Sequence, residues 1–264
     1  MPRLAVRKTY KLFIGGKFPR SESGRTQVVD GDNVALASRK DARDAVVAAR
    51  KAQPGWAGAT AYNRGQILYR AAEMLESRRS SFAASAGEVD AAVDRLVWYA
   101  GWSDKLAQVT GGANPVSGPF FNISAPEPTG VIAVVAPASL LGLVSVVAPA
   151  IVTGNTVVVI STGPQVAITL AEVLATSDLP GGVVNILTGR PAEIAPWLAS
   201  HDDVNGLDLT VVDDPELAAD LERAAAGTLK RVRRPAAPDF AADPGLRPMT
   251  AFLETKTVWH PKGF

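Results

Sequence analysis

Short β-branched runs alternate with longer amphipathic segments along the second half of the chain. The segments between the runs have apolar residues at helical spacing and polar loops at both ends. This alternation with short loops predicts right-handed strand–helix–strand crossovers and a parallel sheet covered on both faces. The sequence therefore predicts an α/β fold with a doubly wound parallel sheet. The predicted strands are 131–136, 156–160, 183–187 and 207–212, and the predicted helices are about 140–152, 165–176, 191–199 and 214–226.

The first half of the chain has a different pattern, with helical periodicity after a short apolar start. Residues 10–30 predict a β-hairpin turning at Gly15-Gly16, because two glycines suit a two-residue hairpin connection. The helices that the periodicity predicts are 39–53, 60–84 and 88–109. We expect Ser38 to cap the first of them and Pro54-Gly55 to end it.

The last 35 residues depart from this alternation of strands and helices. Residues 230–248 begin with a basic cluster and continue with four prolines, which predicts a linker. Residues 252–259 then alternate as a strand does. Because a lone strand is not stable, this one is expected to join a sheet formed elsewhere in the chain.

Composition removes several classes of function. The 264 residues include no cysteine, so the sequence offers no disulfide, thiolate metal site or cysteine nucleophile. A net charge of +1 argues against nucleic-acid binding by phosphate neutralisation.

No charged residue occurs between Glu127 and Glu172, but prolines and glycines divide this stretch into pieces too short for a membrane span. With no leader pattern in residues 1–17, we expect a cytoplasmic protein that does not contact membranes.

Few side chains suggest chemistry on their own. Ser139 follows the 131–136 strand and could be a nucleophile, but no G-x-S-x-G motif surrounds it, and a helix cap is the preferred interpretation. His201-Asp202-Asp203 is interpreted as a solvated loop rather than a metal site, and Asp214 as a helix cap. The basic cluster at 230–234 is interpreted as a solvated helix end rather than a phosphate site. Four tryptophans are expected to pack in the core or between helices: Trp56, Trp98, Trp102 and Trp197.

Several motifs in this order resemble the NAD(P)-dependent aldehyde dehydrogenase superfamily. They are Leu12–Phe18, Pro126–Ile132 followed by Val135-Ala136-Pro137, Gly154–Val159, Leu179–Asn185 and the terminal Glu254–Trp259. The resemblance implies a Rossmann-like cofactor domain with a small β oligomerisation arm. It divides the chain into an N-terminal hairpin and helices (1–108), the arm (109–129), the α/β part (130–229), the linker (230–248) and a terminal oligomerisation strand (249–264).

The departures from the family pattern concern its functional positions. Ser139 stands where the family has the asparagine that donates to the oxyanion. Ile160 and Gly163 replace the lysine and glutamate that hold the ribose, and Val211 replaces a glycine beside the pyrophosphate. The family's glutamate base and catalytic cysteine have no counterparts. We therefore expect no catalytic residue, no metal site and no bound cofactor, neither NAD nor NADP.

The retained arm and terminal strand lead to the functional hypothesis. The resemblance covers nearly all of this chain but only about half of a family chain. It implies a catalytically inactive subunit that assembles with a full-length aldehyde dehydrogenase. An NAD(P)-binding oxidoreductase component and a decayed fragment are the alternatives. The expected interface residues are Asn122, Ile123, Ser124, Thr255, Lys256, Thr257, Val258 and Trp259.

Overall fold

The computed structural model describes residue 4 and residues 6–263, and it begins with a small sheet in the order β1-β3-β2. A tight turn at Asp30-Gly31, with φ of +50° and +82°, joins β2 to β3. The predicted hairpin at Gly15-Gly16 is wrong beyond its turn, because Phe13 pairs with Ile186 of the central sheet instead. The strands of the small sheet are β1 (Thr9–Tyr10), β2 (Thr26–Val29) and β3 (Asp32–Ala35).

A long helix follows the small sheet. Ser38 caps it as predicted, and Asp41 completes a capping box. The predicted end at Pro54 is wrong, since the helix continues to Gly58. Its last turn is held by Trp56, whose buried Nε1 donates to the Ile151 carbonyl at 2.7 Å. The helices of this half are α1 (Arg39–Gly58), α2 (Ala61–Ser77), α3 (Ala86–Trp102) and α4 (Leu106–Thr110), so the predictions of 60–84 and 88–109 were too long.

The central sheet has the order β10-β9-β6-β7-β8 among the described residues, and every neighbouring pair is parallel. The doubly wound prediction is confirmed. The arm strands β4 (Gly112–Asn114) and β5 (Phe120–Pro128) precede it. The elements that build the α/β part are β6 (Val131–Ala136), α5 (Leu140–Val152), β7 (Thr156–Ser161), α6 (Pro164–Leu174), β8 (Val184–Thr188), α7 (Pro191–Ser200), β9 (Gly206–Asp208), α8 (Pro215–Ala226) and β10 (Arg231–Arg233).

Two apolar layers enclose this sheet. The helices α2, α3, α5 and α6 pack on one face, and α1, α7 and α8 pack on the other. Every residue of β6, β7 and β8 is buried as a result. This double burial explains why these strands are continuous β-branched runs rather than alternating patterns.

Two buried asparagines join the loops to the sheet. Asn155 accepts from Gly130 N at 2.8 Å and donates to the Phe252 carbonyl and to Thr153 Oγ1, both at 3.0 Å. Asn185 accepts from Gly15 N at 2.9 Å. These contacts explain the asparagines in the motifs 154–159 and 179–185.

The segment predicted as a linker is largely attached to the domain. Its first residues form β10, which extends the sheet beside β9. The interpretation of 230–234 as a solvated helix end is therefore wrong, and its arginines are paired: Arg231 with Glu254, Arg233 with Asp208 and Arg234 with Glu222.

The rest of the predicted linker also contacts the domain. Arg95 donates to the carbonyls of residues 240 and 242, and the short helix α9 (Arg247–Thr250) buries Met249.

The terminal strand β11 (Leu253–Pro261) pairs antiparallel with β5 along all nine residues of both strands. The expectation that it joins another sheet is confirmed. Within the described part of the chain, none of the helices combines the length and the apolar character needed to cross a bilayer.

Candidate functional site

Ligand sites in doubly wound sheets lie at the carboxyl ends of the strands. Here that edge includes the loop between β6 and α5, in which Ser139 Oγ accepts from Gly142 N at 3.2 Å. Glu88 of α3 also reaches this helix start, where its carboxylate accepts from Leu140 N at 2.6 Å and from Leu141 N at 3.3 Å. A negative charge is favourable at a helix N-terminus. Ser139 is therefore the helix cap that the sequence predicted.

Replacing Ser139 tests this assignment. We expect Ser139→Ala to lower the free energy of unfolding by about 1 kcal/mol, because Gly142 N loses its acceptor. Ser139→Asn is the matched control, since asparagine caps helices as well as serine does. Urea unfolding of the three proteins measures the difference. An equal loss in both variants would contradict the capping role.

Ile160 and Val211 lie on the opposite side of the same edge. Ile160 is buried in the apolar layer between the sheet and the helices α7 and α8, against which Val211 also packs. The space left in that layer beside Ile160, Leu209 and Leu221 is about 10 Å³, which is room for one water molecule at most. These two side chains therefore contribute packing and no hydrogen bonds.

Gly163 precedes α6, and its Cα lies close to the loop after β6. A Cβ at this position would come within 2.6 Å of the Ala138 carbonyl oxygen, so only glycine fits. The helix starts with Pro164 and has no side-chain cap. Its first-turn amides, like those of the equally uncapped α7, suit an anion such as a phosphate.

A buried polar cluster on the α3 side of the sheet was missed by the sequence analysis. Asp208 of β9 accepts from Thr210 N at 3.0 Å and pairs with Arg233 of β10 at 3.1 Å. Tyr99 of α3 is fully buried nearby, and its hydroxyl has no hydrogen-bond partner in the described residues. Burial raises the pKa of Tyr99 to about 12, and the positive charge of Arg95 offsets part of this rise. No local signal predicts the cluster, because its members come from distant segments.

The raised pKa of Tyr99 predicts a loss of stability at high pH. The folded state favours the neutral phenol, so this stabilisation is complete below pH 10 and is lost as the pH rises through about 12. The difference from the ordinary value corresponds to about 2–3 kcal/mol. Urea unfolding at several pH values should show this excess loss in the wild type but not in Tyr99→Phe. At pH 7 the variant should be within about 1 kcal/mol of the wild type, because the hydroxyl has no partner. Parallel pH curves for both proteins would contradict the assignment.

The predicted interface residues lie together in the arm sheet, whose order is β11-β5-β4. The register pairs Asn122 with Trp259, Ile123 with Val258 and Ser124 with Thr257, and it places Lys256 and Thr255 opposite residues 125 and 126. One face of the sheet has a short polar row, in which Ser124 Oγ lies 2.8 Å from Thr257 Oγ1, and beside it Trp259 packs edge-on against Phe120. The sequence thus identified two strands that bond to each other. That they also contact another subunit stays a prediction.

The other face of the arm sheet has an open apolar cluster bordered by charged side chains. Phe121, Ile123 and Val258 share it and are 53%, 49% and 48% exposed. Exposed apolar side chains that adjoin one another are typical of a surface that binds a partner. We call these three residues the arm patch. At its border, Lys256 pairs with Glu127 at 3.0 Å.

The remaining candidates have structural contacts. His201 Nδ1 accepts from Asp203 N at 3.1 Å, and no group of three potential metal ligands occurs within the residues described. Asp214 caps α8 as predicted. The expectation of a packed Trp197 is wrong, since this side chain is 42% exposed and stacks under the Arg39 guanidinium at 3.6 Å.

Comparisons with known proteins agree on one family. The family model described as "Aldehyde dehydrogenase family" matches residues 27–233. Aldehyde dehydrogenase, cytosolic 1 of Elephantulus edwardii is 33% identical over 250 residues, which cover 84% of this chain and 49% of that protein. The solved structure of HpcC from Thermus thermophilus has a TM-score of 0.78 at 27% identity, covering 85% of this chain and 47% of that one. The chain spans about half the length of these relatives.

A further solved structure corrects the cofactor expectation. The NAD+ complex of an aldehyde dehydrogenase from Bacillus cereus has a TM-score of 0.76 at 25% identity, and the match covers 85% of this chain and 50% of that one. The expectation of no cofactor is therefore wrong, because the fold is one that holds NAD+ in this relative. The residues here fit such a ligand through backbone amides at the uncapped start of α6, whereas Ile160 offers no hydrogen bond.

Proposed function

Because this chain belongs to the aldehyde dehydrogenase family, we propose that it is a non-catalytic subunit that assembles with a full-length member of the family. The single observation that carries the proposal is the arm patch on a complete β5–β11 sheet. Covering this patch would remove three large apolar side chains from water, which favours association. The free edge of β11 is available for strand addition in the same assembly.

The absence of cysteine from the sequence supports the non-catalytic role. The covalent route of aldehyde oxidation needs a thiolate nucleophile, which this chain cannot supply. The serine at the predicted oxyanion position is engaged as a helix cap. In the proposed assembly, the longer subunit supplies the nucleophile and this subunit stabilises or regulates it.

Co-expression with a full-length aldehyde dehydrogenase from the same genome tests the assembly. We expect a complex that stays together in size-exclusion chromatography with light scattering. Val258→Glu should weaken it at least about tenfold, because a charge would be buried in the arm patch. Val47→Glu is the matched control, since Val47 is 56% exposed on α1, away from the arm. A stable monomer beside the full-length enzyme, or equal weakening by both variants, would contradict the proposal.

NAD binding is a second candidate function, and the NAD+ complex of the Bacillus cereus relative favours it. When bound, NAD accepts a hydride from a substrate. In this chain the uncapped first-turn amides of α6, which follow the ribose-position Gly163, would donate hydrogen bonds to the nucleotide. Calorimetric titration with NAD and NADP tests this candidate, and saturable binding at micromolar concentrations supports it. Heats no larger than those of dilution at about 1 mM ligand would argue against it.

A further inference from the structure

A small polar pocket of about 240 Å³ lies beside the N-terminal sheet, and none of its lining residues belongs to the arm sheet. Its floor includes Thr9, Thr26 and Asn33, which share one face of the sheet because Thr9 pairs with Asn33 and Thr26 pairs with Ala35. Hydroxyl and amide groups can donate hydrogen bonds to an oxyanion. The floor therefore suits a polar ligand.

Three basic side chains line this pocket, namely Lys11, Arg20 and Arg25. The backbone brings them together. Leu12 N donates to the Pro19 carbonyl at 3.1 Å, which places Lys11 beside Arg20 on paired segments. Gly24 N donates to the Ser21 carbonyl at 3.0 Å, and this turn places Arg20 near Arg25. Like charges held side by side repel one another unless an anion lies between them.

Among the described residues, the carboxylates near the pocket pair with one of its three basic side chains and leave the other two without an ion pair. Glu22 lines the pocket but pairs with Lys40 at 2.6 Å. Arg25 has a half-exposed partner, Glu193, at 3.3 Å. Within residues 6–263, Lys11 and Arg20 form no ion pair with any carboxylate.

The turn that carries these arginines is fixed in place by a buried carboxylate. Asp41 accepts from Ser21 Oγ at 2.8 Å, from Glu22 N at 3.0 Å and from Ser38 N at 2.7 Å. Its oxygens are thus engaged with the turn and with the start of α1 rather than with the basic side chains. A site whose backbone is already ordered loses less entropy when it binds a ligand.

We propose that this pocket binds the phosphate group of a small molecule, or free phosphate. Arginine guanidinium groups match the geometry of phosphate oxygens, and two or three cations balance a dianion. The pocket is smaller than the cavities of about 300–1,000 Å³ that hold drug-sized ligands, so the ligand is a phosphate with few attached atoms.

Calorimetry in chloride buffer at constant ionic strength tests the site, with inorganic phosphate and glycerol 3-phosphate as separate probes. We expect saturable phosphate binding that Lys11→Ala and Arg20→Ala each weaken about tenfold, the effect of losing one charge-assisted hydrogen bond. Lys51→Ala is the matched control, because Lys51 is an exposed cation of α1 outside the pocket. Tighter binding of glycerol 3-phosphate than of phosphate would assign an organic phosphate, and the reverse order would assign the free ion.

Thermal unfolding separates binding from folding. In phosphate-free buffer, Lys11→Ala and Arg20→Ala should unfold at the wild-type midpoint or above it, because the substitution relieves repulsion. Added phosphate should raise the midpoint of the wild type and of Lys51→Ala but not of the two pocket variants. No saturable binding to the wild type, or equal weakening by Lys51→Ala, would overturn the proposal. Pocket variants that retain wild-type phosphate affinity would also overturn it.

Discussion

Asn155→Ala should lower the free energy of unfolding by about 3–5 kcal/mol, the range of large single-site effects. The side chain is fully buried and makes hydrogen bonds to three groups: Gly130 N, Thr153 Oγ1 and the Phe252 carbonyl. Its removal leaves Gly130 N without an acceptor in a site that water does not reach, which costs about 1–3 kcal/mol, and the lost bonds to Thr153 Oγ1 and the Phe252 carbonyl add about 1 kcal/mol each. Urea unfolding followed by circular dichroism measures the loss.

Asn63→Ala is the control for this prediction, because Asn63 is exposed on α2 and should change stability by less than about 0.5 kcal/mol. Phe252 immediately precedes β11, so the loss should be accompanied by faster amide exchange in that strand. An Asn155→Ala protein as stable as Asn63→Ala would contradict the role assigned to the asparagine.

The second large effect is expected at the β9–β10 edge of the central sheet. Asp208→Ala should destabilise the fold by about 2–4 kcal/mol, because Arg233 loses the partner of a partly buried ion pair and the buried Thr210 N loses its acceptor. Thermal and urea unfolding measure the change. Amide exchange should also become faster in β10, which Arg233 joins to the sheet.

Asp220→Ala is the comparison for Asp208→Ala, since Asp220 pairs with Arg223 on the exposed face of α8. Exposed pairs contribute about 0–1 kcal/mol, so this variant should remain close to the wild type. If the two aspartate variants lost similar stability, the buried pair would not be what holds β10 in place.

The central sheet could be predicted from the sequence because each of its strands has a strong local pattern. The run Thr156–Ser161 is buried on both faces and reads as a continuous apolar segment with turn residues on each side. The small N-terminal sheet has an equally local signal in Asp30-Gly31, which suits a two-residue hairpin turn, but Gly15-Gly16 carries the same signal and the sequence alone does not rank the two.

Other elements depend on contacts that no local window contains. Arg231–Arg233 has the composition of a solvated cluster, yet it pairs with β9 as a strand, and Asp208 and Glu254 neutralise its outer arginines. Pro54 normally ends a helix, yet α1 continues because Trp56 is anchored on the Ile151 carbonyl. Tertiary contacts override local preference in both cases.

The candidate site likewise combines residues that a local pattern identifies with residues that only tertiary contacts bring together. The resemblance identified which positions differ from the family, and Ser139 is the cap that local reasoning predicted. The packing of Ile160 against α7 and α8, the carboxylate of Glu88 at the start of α5 and the Tyr99 cluster all join segments far apart in the chain. A single sequence does not specify such pairs.

The pairing of β5 with β11 has a consequence for how the protein folds. Ser124 and Thr257 touch although they are 133 positions apart in the chain, so this sheet closes one of the largest loops in the fold and should form late. Until it closes, β5 can accept β11 from a neighbouring molecule with the same hydrogen bonds. Refolding at high concentration should therefore yield strand-exchanged dimers, whereas refolding at high dilution should yield the self-paired chain.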